Sequence, residues 1–314
     1  MIENVVKLQL PVHENLLIKR NRLQPEEGKE NRGRISIVTG AHGDELEGQF
    51  VCYEIIRRIR KNPQLLRGTV DVYPVMNPLG MDSGMRTLPK IDMDLNRMFP
   101  GNQDGGMMDK MAAQLEASLL GSDICIDVHA SDTFVKEIPQ VRISDEFEKM
   151  MLPYAKHLNV DLIWINNTAT DHEATLSYSL SKLGVPSLVI EMGLGNRINR
   201  KYGLQAVDGI FHLMKQMGLW DGEEIKTQTP RIVTNADIEF IRSSESGIFV
   251  PYEKNYGIVR KSDVLGEIID PLRGKVLNRV KAGYDGMVFT MREHPVVYEG
   301  SLLARIIKGK EAAS

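Results

Sequence analysis

Cysteine is nearly missing from this chain: there are two, Cys52 within a helical pattern and Cys125 within the apolar run "DICIDV". Two scattered thiols build neither a disulfide framework nor a thiolate zinc site, and both read as small buried hydrophobes. No apolar stretch approaches the roughly 18 residues that a membrane span needs. The opening "MIENVVKLQLPVHENLL" also lacks a basic segment leading into an apolar core, so no secretory signal is expected. Nor is there a long block of one charge sign. The 39 basic residues stand against 42 acidic ones for a net charge of -3, which argues against a phosphate-binding footprint. These absences predict a soluble, cytoplasmic protein with no membrane or nucleic-acid partner, and they leave homo-oligomerisation open. With 314 residues, 42% of them hydrophobic, the chain can bury a sizeable core in one large domain or two unequal ones.

Up to about residue 220, short apolar runs alternate with helical patterns. "ISIVT" at 35–39 precedes a helix near 46–61, and "VDVYPVM" at 70–76 is followed by a long polar loop and a helix near 107–120. "DICIDVH" at 123–129, "DLIWIN" at 161–166 and "SLVIEMG" at 187–193 continue the series, with helices expected near 144–157, 172–183 and 203–217. Such alternation predicts an α/β layer structure on a mixed, largely parallel sheet flanked by helices, with the active site beyond the carboxyl ends of its strands. After the linker "GLWDGEEIKTQTP" the pattern changes to short strands without a good helix. The expected division is therefore an α/β domain over 1–227 and a β-rich domain over 228–314. Within the latter, "GIFVPYEKNYGIVRKSDVLGEI" and "GMVFTMREHPVVYEGSLLARI" read as two copies of one unit, resembling the halves of a biotinyl/lipoyl-type barrel-sandwich.

The chemistry-bearing residues gather at the predicted strand ends. His42 and Glu45, three apart in "GAHGDE", would reach one side of a first helical turn, and both side chains are good zinc ligands. The plain alternative is a strand-end histidine beside acids that favour a helix N-terminus, and for the pair alone it stands ahead. His129 in "DICIDVHASD" shifts the balance by offering a third ligand on the same sheet edge. Asp127, two residues earlier, would face the same way and orient a ligand, while Asp44 is left to serve the following helix. Glu191 stands where a buried strand would carry an apolar residue, so its pKa would rise toward the range of a general acid/base. The competing reading pairs it with Arg197 or Arg200. The loop "NPLGMDSGMRTLPKIDMDLNRMFPG" carries Arg86, Asn96 and Arg97, where a guanidinium fork suits a substrate carboxylate and a second one an oxyanion, although loop arginines are usually solvated. His157, His172, His212 and His294 carry no motif.

Taken together, "GAHGDELEG", "NPLG", "DMDLNRMFPG", "DVHAS" and "VIEMG" over residues 35–195 resemble the zinc carboxypeptidase clan, and within it the succinylglutamate desuccinylase/aspartoacylase family. The resemblance implies one zinc ion per chain held by His42, Glu45 and His129, and Glu191 as the base that activates water. It also implies Asn96 and Arg97 on a substrate carboxylate and Arg86 on the scissile carbonyl. A tyrosine of the C-terminal domain, Tyr252, Tyr284 or Tyr298, would close the site, and the sequence does not separate the three. The implied activity is hydrolysis of the amide of a small N-acyl amino acid or related carboxylated amide.

Two rivals remain at this level. A zinc carboxypeptidase would cleave peptides with the same groups, and the β-rich tail over the cleft argues against it by family analogy alone. A non-enzymatic carrier would use the lipoyl-like tail, but the stretch "DPLRGKVLNRVKAGYDG" offers Lys275 and Lys281 without a Met-Lys-Met signal.

Overall fold

The computed structural model describes residues 1–167, 173–252 and 257–309, so His172 lies outside the described residues. Two strands absent from the sequence reading open the chain, β1 (Ile2–Gln9) and β2 (Asn15–Leu23), paired antiparallel. Only one face of this pair is buried, through Val6, Leu8, Leu16 and Ile18, which is why it carried no strong apolar run. The expected strands follow as β3 (Arg34–Thr39), β4 (Thr69–Tyr73) and β5 (Ile124–Ala130). Next come β6 (Val135–Ser144), β7 (Leu162–Asn166) and β8 (Ser187–Gly193). The helices are α1 (Glu47–Lys61), α2 (Pro78–Ser83), α3 (Met107–Leu119), α4 (Glu148–Ala155), α5 (Leu176–Lys182) and α6 (Arg200–Gln216). None of the described helices is long and apolar enough to cross a membrane.

The centre of the main sheet, β4-β3-β5-β8, is parallel, and antiparallel strands flank it: β2 beside β4, and β6 beside β8. Alternation along β5 divides its side chains between two cores. Ile124, Ile126 and Val128 pack with Val51 and Ile55 of α1 and Val207 and Ile210 of α6. Cys125 faces the other side, with Met111 and Leu115 of α3 and Leu176 and Leu180 of α5. Asp127 and His129 share the face of Cys125 by the same period of two. Both cysteines are free and buried, and burial pushes the Cys52 thiol up to about 12.

The β-rich tail comprises β9 (Arg231–Thr234), β10 (Ile238–Arg242), β11 (Gly247–Pro251), β12 (Gly257–Val259) and β13 (Val264–Asp270). It ends with β14 (Lys275–Lys281), β15 (Gly286–Arg292), β16 (Val296–Val297) and β17 (Leu302–Lys308). The two copies seen in the sequence become β11-β12-β13 and β15-β16-β17, each with its outer strands paired antiparallel. The middle strands are exchanged: β12 pairs with β15, and β16 with β11. The glycine opening each copy has one physical reason. A Cβ on Gly247 would lie 2.8 Å from Ile269 O, and one on Gly286 would lie 2.2 Å from Ile307 O, at corresponding strand crossings. Lys275 and Lys281 are the ends of β14, and neither sits in the turn over 271–274.

The tail is not hydrogen-bonded apart from the rest. β15 continues the main sheet beside β6, and β9 pairs with β7, giving the order β1-β2-β4-β3-β5-β8-β6-β15-β17-β10 with branches.

At the opposite edge, fully buried Asp71 of β4 holds three arginines. Arg22 Nη2 donates to it at 2.7 Å, Arg34 Nε at 2.8 Å and Arg20 Nη1 at 3.4 Å. Burial alone would raise its pKa, but the hydrogen bond from Arg22 and the charges of Arg34 and Arg20 outweigh burial and hold it below the ordinary value. Its contribution to stability is therefore present above about pH 4 and is lost as the pH falls through the lowered folded value. Asp71→Asn is expected to lower the unfolding free energy in urea by about 3–5 kcal/mol at neutral pH, with a smaller deficit in acid.

Candidate metal centre and substrate pocket

The loop after β3 brings its two candidate ligands together. Glu45 N–H reaches His42 O at 3.4 Å, and His42 Nδ1 lies 2.6 Å from Glu45 Oε1. This turn precedes the helix rather than opening it, because α1 starts at Glu47 with Leu46 as N-cap. Asp44, left by the sequence to serve that helix, stands outside its first turn, where Glu47 is the acid. The Asp44 Oδ1 is buried without a partner among the described residues, and its carbonyl accepts Asn196 N–H at 2.7 Å. Gly43 is required by a close approach: a Cβ there would stand 2.0 Å from the Gly80 carbonyl carbon of α2.

His129 arrives from the end of β5. Its Nδ1 lies 2.8 Å from Glu45 Oε2, and Ala130 N–H donates to the same oxygen at 3.1 Å. A single buried carboxylate thus stands between two imidazole Nδ1 atoms. Each Nε2 in turn faces another carboxylate, His42 with Asp94 Oδ1 at 3.0 Å and His129 with Asp127 Oδ2 at 3.1 Å. Arg86 closes the group from the long loop, donating to Glu45 Oε1 at 3.2 Å and to Asp94 Oδ2 at 3.4 Å.

The donor set fits a divalent ion. The His42 and His129 ring nitrogens and a Glu45 oxygen lie within 4.8 Å of one another, all from buried residues. Nitrogen and carboxylate oxygen suit zinc, and a carboxylate on the far ring nitrogen fixes tautomer and orientation, as Asp94 does for His42, while Asp127 stands beside His129 Nε2 as a charge without hydrogen-bond geometry. Charge points the same way. With neutral rings, Glu45, Asp94 and Asp127 exceed Arg86 by two negative charges, which a dication would balance. The same field acts on the imidazoles: burial opposes their protonation, but Glu45 and Asp94 hold His42, and Asp127 and Glu45 hold His129, above the ordinary histidine value.

These residues open into a cavity of about 250 Å³ that also receives Asn96, Arg97 and Glu191. Asn96 is oriented by Leu176 N–H, which donates to its Oδ1 at 3.0 Å. Arg97 donates to Asn96 O at 2.8 Å and has no carboxylate partner among the described residues. Glu191 pairs with neither Arg197 nor Arg200. Arg142 Nη1 donates to its Oε1 at 3.2 Å, while Arg197 donates to Asn196 O and Arg200 lies over the Phe50 ring. Burial raises the Glu191 pKa despite the opposing Arg142 charge.

Sequence reasoning missed Arg142, Glu137 and Arg305, which line the cavity, and the part played by Asp94. Asp94 lay inside a quoted motif, whereas the other three had no local signal. Tyr252, Tyr284 and Tyr298 are 42%, 50% and 70% exposed, and none is among the described residues lining the cavity. Among the described residues, the tail supplies Arg305 there.

Residues 31–217 match the succinylglutamate desuccinylase/aspartoacylase catalytic domain. The chain belongs to this family. One relative of this succinylglutamate desuccinylase/aspartoacylase family member is N-alpha-acetyl-L-2,4-diaminobutyric acid deacetylase from Halomonas elongata, 26% identical, with 90% of this chain and 85% of that protein covered. The fold matches the succinylglutamate desuccinylase/aspartoacylase structure from Rhodobacter sphaeroides with a TM-score of 0.81 at 22% identity, covering 97% and 94% of the two chains. It also matches the product-bound ectoine utilization protein EutE of Ruegeria pomeroyi, TM-score 0.80 at 20% identity over 97% and 93%. The family's named members are deacylases, and the shared fold spans the tail as well as the matched catalytic domain.

The carboxylates behind the two imidazoles give this family member a direct test. Asp94→Asn and Asp127→Asn are each expected to weaken binding of a divalent ion by about 10–100-fold, read by competition with a chromophoric chelator.

Proposed function

We propose that this chain is a zinc-dependent hydrolase that cleaves the amide bond of a small N-acyl amino acid or related carboxylated amide. One observation carries the reading. The His42, Glu45 and His129 set opens into the same cavity as Arg97, a guanidinium with no anionic partner among the described residues. Asn96 and Arg97 would receive the substrate carboxylate, and the cavity's size suits a small molecule. The deacetylase from Halomonas elongata, similar over most of both chains, supports an acylated amino acid as substrate.

His42, Glu45 and His129 would hold the ion, which when bound supplies Lewis-acid polarisation of the acyl carbonyl and of the attacking water. Glu191, steadied by Arg142, takes a proton from that water as its oxygen bonds to the acyl carbon. Arg86, already beside Glu45, donates to the carbonyl oxygen as negative charge develops. Glu191 then delivers its proton to the amide nitrogen as the carbon–nitrogen bond breaks, leaving a carboxylate and an amine. Residues 1–227 would form the hydrolytic unit, with residues 228–314 lying over the site and reaching it through Arg305.

Metal analysis and a substrate panel test this reading together. The wild type is expected to hold one zinc ion per chain and to turn over N-acetyl or N-succinyl amino acids in preference to short peptides. His129→Ala should lose metal and turnover, whereas Glu191→Gln should keep the metal and lose about 10²–10⁴-fold in kcat. Turnover of peptides alone would transfer the site to carboxypeptidase chemistry, and a metal-free wild type would end the zinc proposal.

A further inference from the structure

Four charged side chains outside the ligand set form an alternating chain, Arg305–Glu137–Arg142–Glu191. Glu137 is 1% exposed. Its Oε2 accepts Arg142 Nη2 at 2.7 Å, and its Oε1 accepts Thr290 Oγ1 at 3.0 Å and Arg305 Nη1. The other terminal nitrogen of Arg142 donates to Glu191 at 3.2 Å. Both guanidiniums lie over the Trp164 ring of β7, 5.5 Å and 5.4 Å from its centroid. Two acids therefore meet two bases, and each guanidinium is fixed by an anion and an aromatic face together.

The backbone makes this arrangement deliberate. Glu137 and Arg142 are five apart on β6, an odd number that places side chains on opposite faces of a regular strand. The register against β8 breaks between Glu137 and Gln140, a stretch that contains Pro139, and that irregularity lets both side chains line the cavity. Thr290 is the β15 partner of Glu137 in the same sheet, and Arg305 is the β17 partner of Thr290.

We propose that Arg305 and Glu137 are positioning residues for Glu191, acting through Arg142, so that strands of the β-rich tail set the aim of the base. This rests on Glu191 being the base of the proposed hydrolysis. A carboxylate held by one guanidinium at a terminal nitrogen can swing. Glu137 removes that freedom by gripping the same guanidinium from its other end, and Arg305 and Thr290 hold Glu137 in turn. Because proton transfer tolerates little misplacement, a loosened relay should cost turnover rather than substrate affinity.

Steady-state kinetics of Arg305→Met and Arg305→Lys, with metal content measured on each, test the proposal. Arg305→Met is expected to lower kcat by about 10–100-fold with KM changed less than about twofold and metal unchanged, and Arg305→Lys to recover most of the loss. Should Arg305→Met fail to fold, Glu137→Gln/Arg305→Met removes the buried charges as a pair and is expected to show the same kcat loss with KM held. Wild-type kcat in the folded variants, or a rise in KM at constant kcat, would overturn the proposal. Glu191→Gln separates this failure from that of the function itself: its inactivity beside fully active Arg305 variants sinks the relay alone, whereas a wild type without amide hydrolysis sinks the reading beneath it.

Discussion

The Glu45 carboxylate is the point on which the site converges. It is buried, and burial would raise its pKa, yet His129 and His42 more than reverse this and hold it at about 2. Its two oxygens take contacts from His42 and Arg86 on one side and from His129 and the Ala130 amide on the other. A buried carboxylate persists only when it is paired and hydrogen-bonded. Its partners come from the loop after β3, the long loop after α2 and the end of β5, so three segments must be in place before the charge is tolerable. Gly43 against Gly80 holds the first of these segments at backbone distance from α2, the helix that leads into the second.

The sheet extends the same logic. Its parallel centre supplies strand ends where His129 and Glu191 are neighbours across a ladder, and their side chains share a face because the pleat alternates. On the other flank, β6 reverses direction and carries the charged residues that meet Glu191. One strand thereby joins the sheet that carries His129 and Glu191 to β15 and β17, and among the described residues the tail adds Arg305 to the cavity wall.

How much of this was legible follows from where each residue's partners lie in sequence. β3, β5 and β8 are apolar runs buried on both faces, so the anomalous His42, Asp127, His129 and Glu191 stood out against them. The helices other than α2 declared themselves by their periodicity, α2 lying inside what reads as a polar loop, and the repeat by its paired glycines and by Leu265 and Leu303, both fully buried. β6 did not. "VKEIPQVRIS" has Lys136, Glu137 and Arg142 where an apolar period would be sought, and Pro139 in its middle. Its charges are tolerated because Arg305, Thr290 and Glu191 meet them from far along the chain, which no local window reveals. Glu191's choice of Arg142 over the nearby Arg197 and Arg200 has the same origin.

The exchange of β12 and β16 between the two halves of the tail makes that region indivisible. Each half provides the missing edge of the other, so neither could be copied, lost or exchanged by recombination without exposing raw strand edges on both sheets. The strand swap thus joins the two copies into a single structural unit. Within that unit β15 and β17 reach β6 through one buried glutamate, Glu137, which accepts from Thr290 and Arg305.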